Sequence, residues 1–454
     1  MCRLTAILSI TALSVAAVAA CSPGTTAPPS ATGDPPNVLL ILVDALRADR
    51  LGVNASGKLL TPNLDRLTKE GVNFENAFSH STWTKPSVAT LITSLYPSQH
   101  GMQFVGVETP EGFRVEELAE GIETLAEGFQ RAGYATGASV NQVHLHERFG
   151  FGQGYDLYKQ VEGKDAFHVN SIIEDWLASI GDQPFFAYVH YLDTHWPYTR
   201  RLEKHEDQFG STAMTSKPTG SAFKASEWAK GISPQDLAAL ETRYDYEVAY
   251  VDDAIGQMID KLKELGRYDN TIIVTTSDHG EAFFEHQKLQ HGGVPYDEVT
   301  RIPLAVRLPE RLRPTITSST ELVGLIDVMP TLFDLAGLEP ATNALGNSLR
   351  PLLSDESPSQ RLVFIETFEA IGVRSETHKL LRYRDGRTEF FNLVADQAEL
   401  SPVIDACSGS CAELERPLAA FERLLKQGRE SNPSGRAFMT AAEVDRLRAL
   451  GYLD

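Results

Sequence analysis

Four cysteines in 454 residues rule out a disulfide scaffold and leave few thiolates for a metal centre. Cys2 lies in the N-terminal leader, Cys21 closes it, and only Cys407 and Cys411, in CSGSC, remain for the folded chain. No His or further Cys accompanies that pair. A small local disulfide in an oxidising compartment is therefore expected, with a metal site as the weaker alternative. Positive charge is also short: 41 Lys and Arg against 61 Asp and Glu give a formal net charge of −20. Bulk charge therefore draws this chain neither to nucleic acid nor to anionic lipid. An anionic substrate would need a local metal or cationic pocket. Beyond the N-terminus there is no apolar run long enough to span a membrane.

What is there begins with MCRLTAILSITALSVAAVAAC. One Arg, an apolar stretch speckled with Ser and Thr, and small residues before Cys21 mark an export signal over residues 1–20. A transmembrane anchor needs roughly 20 predominantly apolar residues, and this stretch is shorter and more polar. VAAC resembles the lipobox of bacterial lipoproteins. That resemblance implies a lipid on Cys21 and a membrane-anchored protein facing the periplasm or cell exterior; ordinary cleavage after the Ala-rich run is the alternative. Residues 21–36, with SPGTTAPPSATGDPP, form a Pro/Ser/Thr-rich tether unable to build a core.

From residue 37, strand and helix patterns alternate. NVLLILV is a continuous apolar run, as in a strand buried on both faces. TPNLDRLTKEG carries a Thr cap, Pro at the first helical position and a closing Gly; ETLAEGFQRAG repeats that grammar before the strand YATGASV. PFFAYVHY is another strand. An amphipathic helix starts at Ser233-Pro234 and closes at Gly266, followed by NTIIVTTS and IPLAVRL. This order predicts an α/β fold with a largely parallel sheet over 37–355. Near 355 the character changes. HKLLRYRDGRTEFFNL predicts a hairpin turning at Asp385-Gly386, and two short helical patterns follow, so 360–454 is expected to form a smaller α+β subdomain. The polar connection 200–231 is either a lid or a solvated loop.

Ligands of open α/β sheets bind beyond the carboxyl ends of the strands. NVLLILV is followed by Asp44, YATGASV by Asn141, PFFAYVHY by Asp193 and His195, and NTIIVTTS by Asp278 and His279. Any one of these has a bland reading: Asp44 as a turn cap, Asn141 as a turn residue. Four polar strand ends together point to a site. A buried carboxylate beside an imidazole is costly unless both bind something, so Asp278-His279 is the sharpest metal signal. His286 and His291 follow in a loop, His291 ahead of two glycines. In HSTWTKPSVATLITSLYP, Thr84 opens a helix with Pro86 in its first turn, where free N–H groups and the helix dipole favour an anion. It is either a cap or a nucleophile.

Here a resemblance becomes specific. NVLLILVDALRADRLG, TPNLDRLTKEGVNFENAFSHSTWTKPSVATLITSLYPSQHG, PFFAYVHYLDTHWPY and TIIVTTSDHGEAFFEHQKLQHGGVPYDE resemble the sulfatase family of the alkaline phosphatase superfamily, from about Asn37 through the 300s. The resemblance implies a large mixed, mostly parallel sheet between helices, plus a C-terminal subdomain with a small antiparallel sheet. It makes Asp44 the first metal carboxylate, Asp278 and His279 the later metal pair, and Thr84 the nucleophile. His195 takes the place of the histidine touching the transferred group. His291 stands where many sulfatases have a substrate-binding Lys, and Asn141 resembles an oxyanion-binding Asn of phosphodiesterase relatives. Lys85, His286 and Asp193 complete the substrate-binding candidates.

The departures are as informative. Sulfatases of the main type have Cys-x-Pro-Ser-Arg, whose Cys becomes formylglycine; this chain has Thr84-Lys85-Pro86-Ser87-Val88. Ala45 replaces a second carboxylate often found after the first. A formylglycine hydrate carries a second hydroxyl able to expel sulfate, and a Thr sulfate ester has no such exit. A Thr phosphate ester can be attacked at phosphorus by water. The expectation is a metal-dependent hydrolase cleaving phosphate or phosphonate esters through Thr84, on an anionic small-molecule, lipid or glycan ester. One divalent ion (Zn²⁺, Mn²⁺ or Ca²⁺) is held by Asp44, Thr84, Asp278 and His279. A second ion would draw on Asp193, His195 and a later His, with spacing that departs from two-metal relatives. Lys85 and Asn141 bind the nonbridging oxygens, and His195 or His291 protonates the leaving oxygen. The rival readings are a sulfuric ester hydrolase without formylglycine, a periplasmic phospho-head-group transferase and a non-catalytic binding lipoprotein.

Overall fold

NVLLILV becomes the strand Asn37–Val43, and its two faces feed two different cores. Val38, Leu40 and Leu42 pack into one apolar cluster; Leu39, Ile41 and Val43 pack into the other. That alternation is what a strand covered on both faces requires. The computed structural model describes residues 34–454 except 55–56, 104–105, 199–208, 210–211, 216–221, 294, 355–360, 405–408, 432–433, 451–452 and 454. The signal at 1–20, the tether at 21–36 up to residue 33, and Cys21 lie outside the described residues. Among the described residues no helix is long and apolar enough to cross a membrane.

Among the described residues the main sheet has nine strands. Its order is Arg301–Ile302, Gly71–Phe78, Leu304–Arg307, Thr271–Thr276, Asn37–Val43, Phe185–Tyr191, Ala135–Val140 and Leu157–Gln160, with Ser318–Gly324 also on Gly71–Phe78. The strands from Thr271–Thr276 to Leu157–Gln160 run parallel. Leu304–Arg307, the IPLAVRL segment, is antiparallel to both its neighbours, so the sheet is mixed. Helices Pro62–Lys69, Ala166–Ser179 and Pro234–Glu264 cover one face, and helices Thr84–Thr93, Leu125–Arg131 and Val328–Ala336 the other.

The 31-residue helix Pro234–Glu264 starts where its Ser233 cap predicts, with the Ser233 side chain accepting from the Asp236 N–H. Thr124 likewise caps Leu125–Arg131 through a capping box with Glu127. Thr61 does not cap Pro62–Lys69 with its side chain. Asp252, from the long helix, accepts from the Asn63 and Leu64 N–H groups at 2.9 and 2.8 Å instead. The cap is tertiary, so local sequence does not reveal it.

Past residue 360 a five-stranded antiparallel sheet includes the predicted hairpin, His378–Tyr383 with Thr388–Asn392, turning at Gly386 with φ +92°. One 22-residue helix, Ser410–Ser431, covers it in place of the first of two short helices, burying Leu414, Leu418, Phe421 and Leu425 against Val373 and Leu380. Cys411 is disulfide-bonded, and Cys407 lies outside the described residues. The strand Gly435–Phe438 then pairs with Gly112–Glu117 of the preceding region.

Candidate active site

Register aligns the strand ends. Val43 lies opposite Tyr191, Leu42 opposite Thr276, and Val140 opposite His190, so the residues after these four strands share one edge. Asp44, Asp278 and His279 meet there, each fully buried, with ligand-capable atoms within 4.8 Å of one another. Thr84, the first residue of the ten-residue helix Thr84–Thr93, places its hydroxyl 3.4 Å from both Asp44 Oδ2 and His279 Nε2. The helix enters through Trp83, whose side chain makes no cap hydrogen bond, so the positive end of its dipole opens at Thr84.

The second layer orients these groups. Asp278 Oδ1 accepts from the Ala45 and His279 N–H groups at 3.1 and 3.0 Å. Ala45 adopts φ +58°, and its carbonyl accepts from the Tyr244 hydroxyl. Gln142 donates to Asp44 Oδ2 at 2.9 Å, and the Thr194 hydroxyl donates to the Asp44 carbonyl. His279 Nδ1 lies 2.8 Å from the Gly280 carbonyl, which can only accept, so the proton is on Nδ1 and the Nε2 lone pair faces Thr84 and the carboxylates. Gly280 is required there, because a Cβ would stand 2.1 Å from the Glu298 carbonyl oxygen.

His291 and His195 close the site, their rings 4.8 Å apart and His291 4.2 Å from His279. The His195 Nδ1 faces the Trp196 carbonyl at 2.8 Å, which leaves Nε2 as an acceptor in the neutral ring. His291 Nδ1 is 3.2 Å from Glu281 Oε1, and the Tyr198 hydroxyl donates to Glu281 Oε2 at 2.6 Å. Burial drives His291 down to about 3 and His279 to about 4, and His195 well below the ordinary range, so all three rings are neutral near pH 7. Burial raises Asp44, with Asp278 and Glu281 adding to it, and raises Asp278 despite His279; Glu281 is pushed up to about 8.

Other sequence candidates are placed differently. Lys85 is buried, with its ammonium donating to the Glu116 carbonyl at 3.0 Å and 3.8 Å from that carboxylate; burial pulls it down to about 8. Asn141 donates to the Lys164 carbonyl at 2.6 Å, and its neighbour Gln142 takes the contact to Asp44. His286 belongs to another network: Nδ1 meets Glu298 at 2.6 Å, Nε2 the Glu399 carbonyl at 3.0 Å, and the ring stacks on Tyr296. It does not join the site. Asp193 is buried just after the strand Phe185–Tyr191, and its charge is felt at Tyr191. Sequence reasoning missed Gln142, Glu281, Tyr198 and the buried His190, whose Nε2 lies 3.7 Å from Asp44 Oδ2. Glu281 alone left a sequence signal, three residues after Asp278 in DHGE.

A divalent cation fits this cluster. Asp44 Oδ1 and Asp278 Oδ2 are fully buried with no hydrogen-bond donor. Two such oxygens beside a bare imidazole nitrogen cost several kcal/mol unless a positive charge answers them.

Comparison with known proteins bears on this geometry. The sulfatase family model matches residues 36–338, and the model described as N-sulphoglucosamine sulphohydrolase, C-terminal, matches 293–422. The chain belongs to the sulfatase family. Among curated relatives of this sulfatase-family protein is an ulvan-active sulfatase of Formosa agariphila, 28% identical over 80% of this chain and 75% of that one. An arylsulfatase of Clostridium perfringens is 26% identical over 82% and 90%. A phosphonate monoester hydrolase structure from Agrobacterium radiobacter superposes with a TM-score of 0.68 at 20% identity, covering 89% of this chain and all of that one, and so shares the fold. The sulfatase-family chain is an ester hydrolase with the mixed α/β fold of the alkaline phosphatase superfamily, whose members generally use a divalent metal.

Proposed function

We propose that this chain hydrolyses phosphate or phosphonate esters through a covalent intermediate on Thr84. One observation carries the reading: a helix-opening Thr, in place of the modifiable Cys, sits 3.4 Å from both Asp44 and His279 with no Cys among its neighbours in TKPSV. Long contacts of this kind are common in sites before substrate tightens them. A divalent ion held by Asp44, Asp278 and His279 would supply Lewis-acid stabilisation of the Thr84 alkoxide. Thr84 Oγ1 gives its proton along the contact to Asp44 Oδ2 and bonds to phosphorus as the leaving oxygen departs. The N-terminal end of helix Thr84–Thr93 stabilises the charge on the nonbridging oxygens. His291 gives its Nε2 proton to the leaving oxygen and takes at Nδ1 the proton of Glu281, whose carboxyl, pushed up to about 8, holds it at pH 7. His195, with its unprotonated Nε2, then takes a proton from water as the water oxygen bonds to phosphorus; the bond to Thr84 breaks, Thr84 recovers its proton from Asp44, and the His195 proton returns to the neighbouring His291–Glu281 pair.

A second reading, sulfuric ester hydrolysis without formylglycine, is favoured by the curated relatives, most of which are named sulfatases. Hydrolysis of a Thr sulfate ester lacks the internal exit that formylglycine provides, so phosphoryl or phosphonyl transfer is preferred. Because one relative is named for ulvan and a related structure holds D-glucosamine-2-N,6-O-disulfate, we take an anionic glycan ester as the substrate class. We assign 37–355 to catalysis, 360–454 to the C-terminal subdomain, and 1–20 and 21–36 to export and a lipid tether on Cys21. Acid-quenched enzyme turning over a phosphonate monoester is expected to yield a Thr84 peptide carrying the phosphonyl group. An unmodified Thr84 under burst conditions would contradict the mechanism.

A further inference from the structure

His291 belongs to two environments. Its ring lies 4.2 Å from His279 and 4.8 Å from His195, and the same residue lines a cavity of about 190 Å³. The loop that carries it is seated beside the nucleophile: the Gly292 N–H donates to the carbonyl of Thr82, two residues before Thr84, at 2.8 Å. The C-terminal subdomain supplies another wall through Glu369. Gly293, at φ +73°, passes so close that a Cβ there would stand 2.9 Å from Glu369 Oε1. At about 30 Å³ per water the cavity holds roughly six waters. That is room for one small ring and not for a chain.

The lining sets the character of that ring. Gln290, 4% exposed, lines the cavity, and its side-chain nitrogen is buried with no hydrogen-bond acceptor among the described residues. A buried amide N–H in that state has given up its bonds to water and received none in return. Gln290 also holds φ +67°, a left-handed backbone that is strained for any residue with a side chain. Both costs fall on the neighbour of the histidine that serves the leaving oxygen. Charge in the lining does not favour an anion: the exposed Lys288 stands against two carboxylates, Glu369 and the Glu298 that meets His286. A hydroxyl oxygen supplies what Gln290 lacks, and a second anionic group does not gain from this lining.

We infer that this cavity seats the leaving group as an uncharged, hydroxyl-rich ring of monosaccharide size, and that Gln290 selects it by donating to one of its hydroxyl oxygens. The inference rests on the proposed esterase reading, in which His291 protonates the leaving oxygen and so has the departing group beside it. An aryl leaving group fits the same space but leaves the Gln290 amide unpaired, and a site built to hydrogen-bond a hydroxyl discriminates against the analogue without one.

The test compares glucose 6-phosphate with phenyl phosphate, two monoesters that share the transferred group, on metal-loaded full-length parent and Gln290→Met proteins. Met keeps the length and the unbranched stem of Gln and removes the donor. The kcat/KM on glucose 6-phosphate should fall by about tenfold or more beyond any change on phenyl phosphate. In the parent, at least one of the 2-deoxy, 3-deoxy and 4-deoxy analogues of glucose 6-phosphate should lose about as much, and that loss should vanish in the variant. Equal losses on the two esters would overturn the assignment. So would deoxy analogues that the parent turns over as fast as glucose 6-phosphate, a result that does not depend on the variant folding. A parent that turns over neither ester would sink the esterase reading; titration calorimetry of glucose 6-phosphate and phenyl phosphate against the two proteins then decides the cavity by the same tenfold contrast.

Discussion

Replacing Asp278 by Asn should stabilise the metal-free protein and abolish its response to metal. The carboxylates of Asp44 and Asp278 are fully buried, with facing atoms within 4.8 Å, and neither orphaned oxygen has a donor. At that separation two unit charges repel by about 3.5 kcal/mol at an effective dielectric of 20. The amide introduced by Asp278→Asn would be neutral, would keep the Oδ1 contacts to the Ala45 and His279 N–H groups, and would offer His279 an amide proton. After allowing for partial protonation of the parent pair, the variant should gain about 1–3 kcal/mol in chelator. With a divalent ion at a thousand times its dissociation constant, the parent gains about 4.1 kcal/mol and the variant little. Equilibrium urea unfolding of both proteins, in EDTA and in Ca²⁺, Mn²⁺ or Zn²⁺, should therefore show the order of stability reversing. A variant less stable in EDTA that responds to metal as the parent does would refute the cluster as a cation site.

Three further outcomes are expected. Glu281→Gln should retain a substantial part of kcat, because Gln can still hold His291 and Tyr198, whereas Glu281→Ala should lose about 10²-fold or more; equal losses would separate Glu281 from positioning. Gly280→Ala should lower both stability and activity, by more than about 2 kcal/mol for stability, since its Cβ would lie 2.1 Å from the Glu298 carbonyl; a neutral effect in thermal unfolding would contradict the geometry. Asp252 is pushed up to about 6 by burial, so the folded protein holds its proton where the unfolded chain has released it, and its contribution to stability falls as pH rises from 4 through 6. The stability of Asp252→Asn relative to the parent should accordingly improve by about 2.4 kcal/mol between pH 4 and pH 7; a pH-independent difference would refute the raised pKa.

Elements with a local cause were legible in the chain. NVLLILV, PFFAYVHY and NTIIVTTS declare themselves by unbroken apolar character, and their parallel register carries Asp44 and Asp278-His279 to one edge. Ser233 and Thr124 cap the helices they precede, and Asp385-Gly386 turns the hairpin it predicts. What escaped is tertiary. The cap on Pro62–Lys69 comes from Asp252, nearly 190 residues away in sequence. Gln142 meets Asp44 because the chain leaves Ala135–Val140 with Asn141 committed to the Lys164 carbonyl, an orientation that spacing does not encode. His286 resembled His291 as a loop histidine and was separated from it only by Glu298 and Tyr296. The Tyr198–Glu281–His291 chain joins residues up to 93 apart in numbering and has no linear signature.

The proposed mechanism stands on Thr84 as the nucleophile of phosphoryl or phosphonyl transfer. It is tested most directly by steady-state turnover of bis-p-nitrophenyl phosphate, p-nitrophenyl phenylphosphonate and p-nitrophenyl sulfate by metal-loaded parent, Thr84→Ser and Thr84→Ala proteins. Turnover of the phosphorus esters should exceed that of the sulfate, kept in part by Ser and lost by at least about 10³-fold in Ala. Sulfate turnover that exceeds both phosphorus esters and survives Thr84→Ala would make Thr84 a helix residue and nothing more.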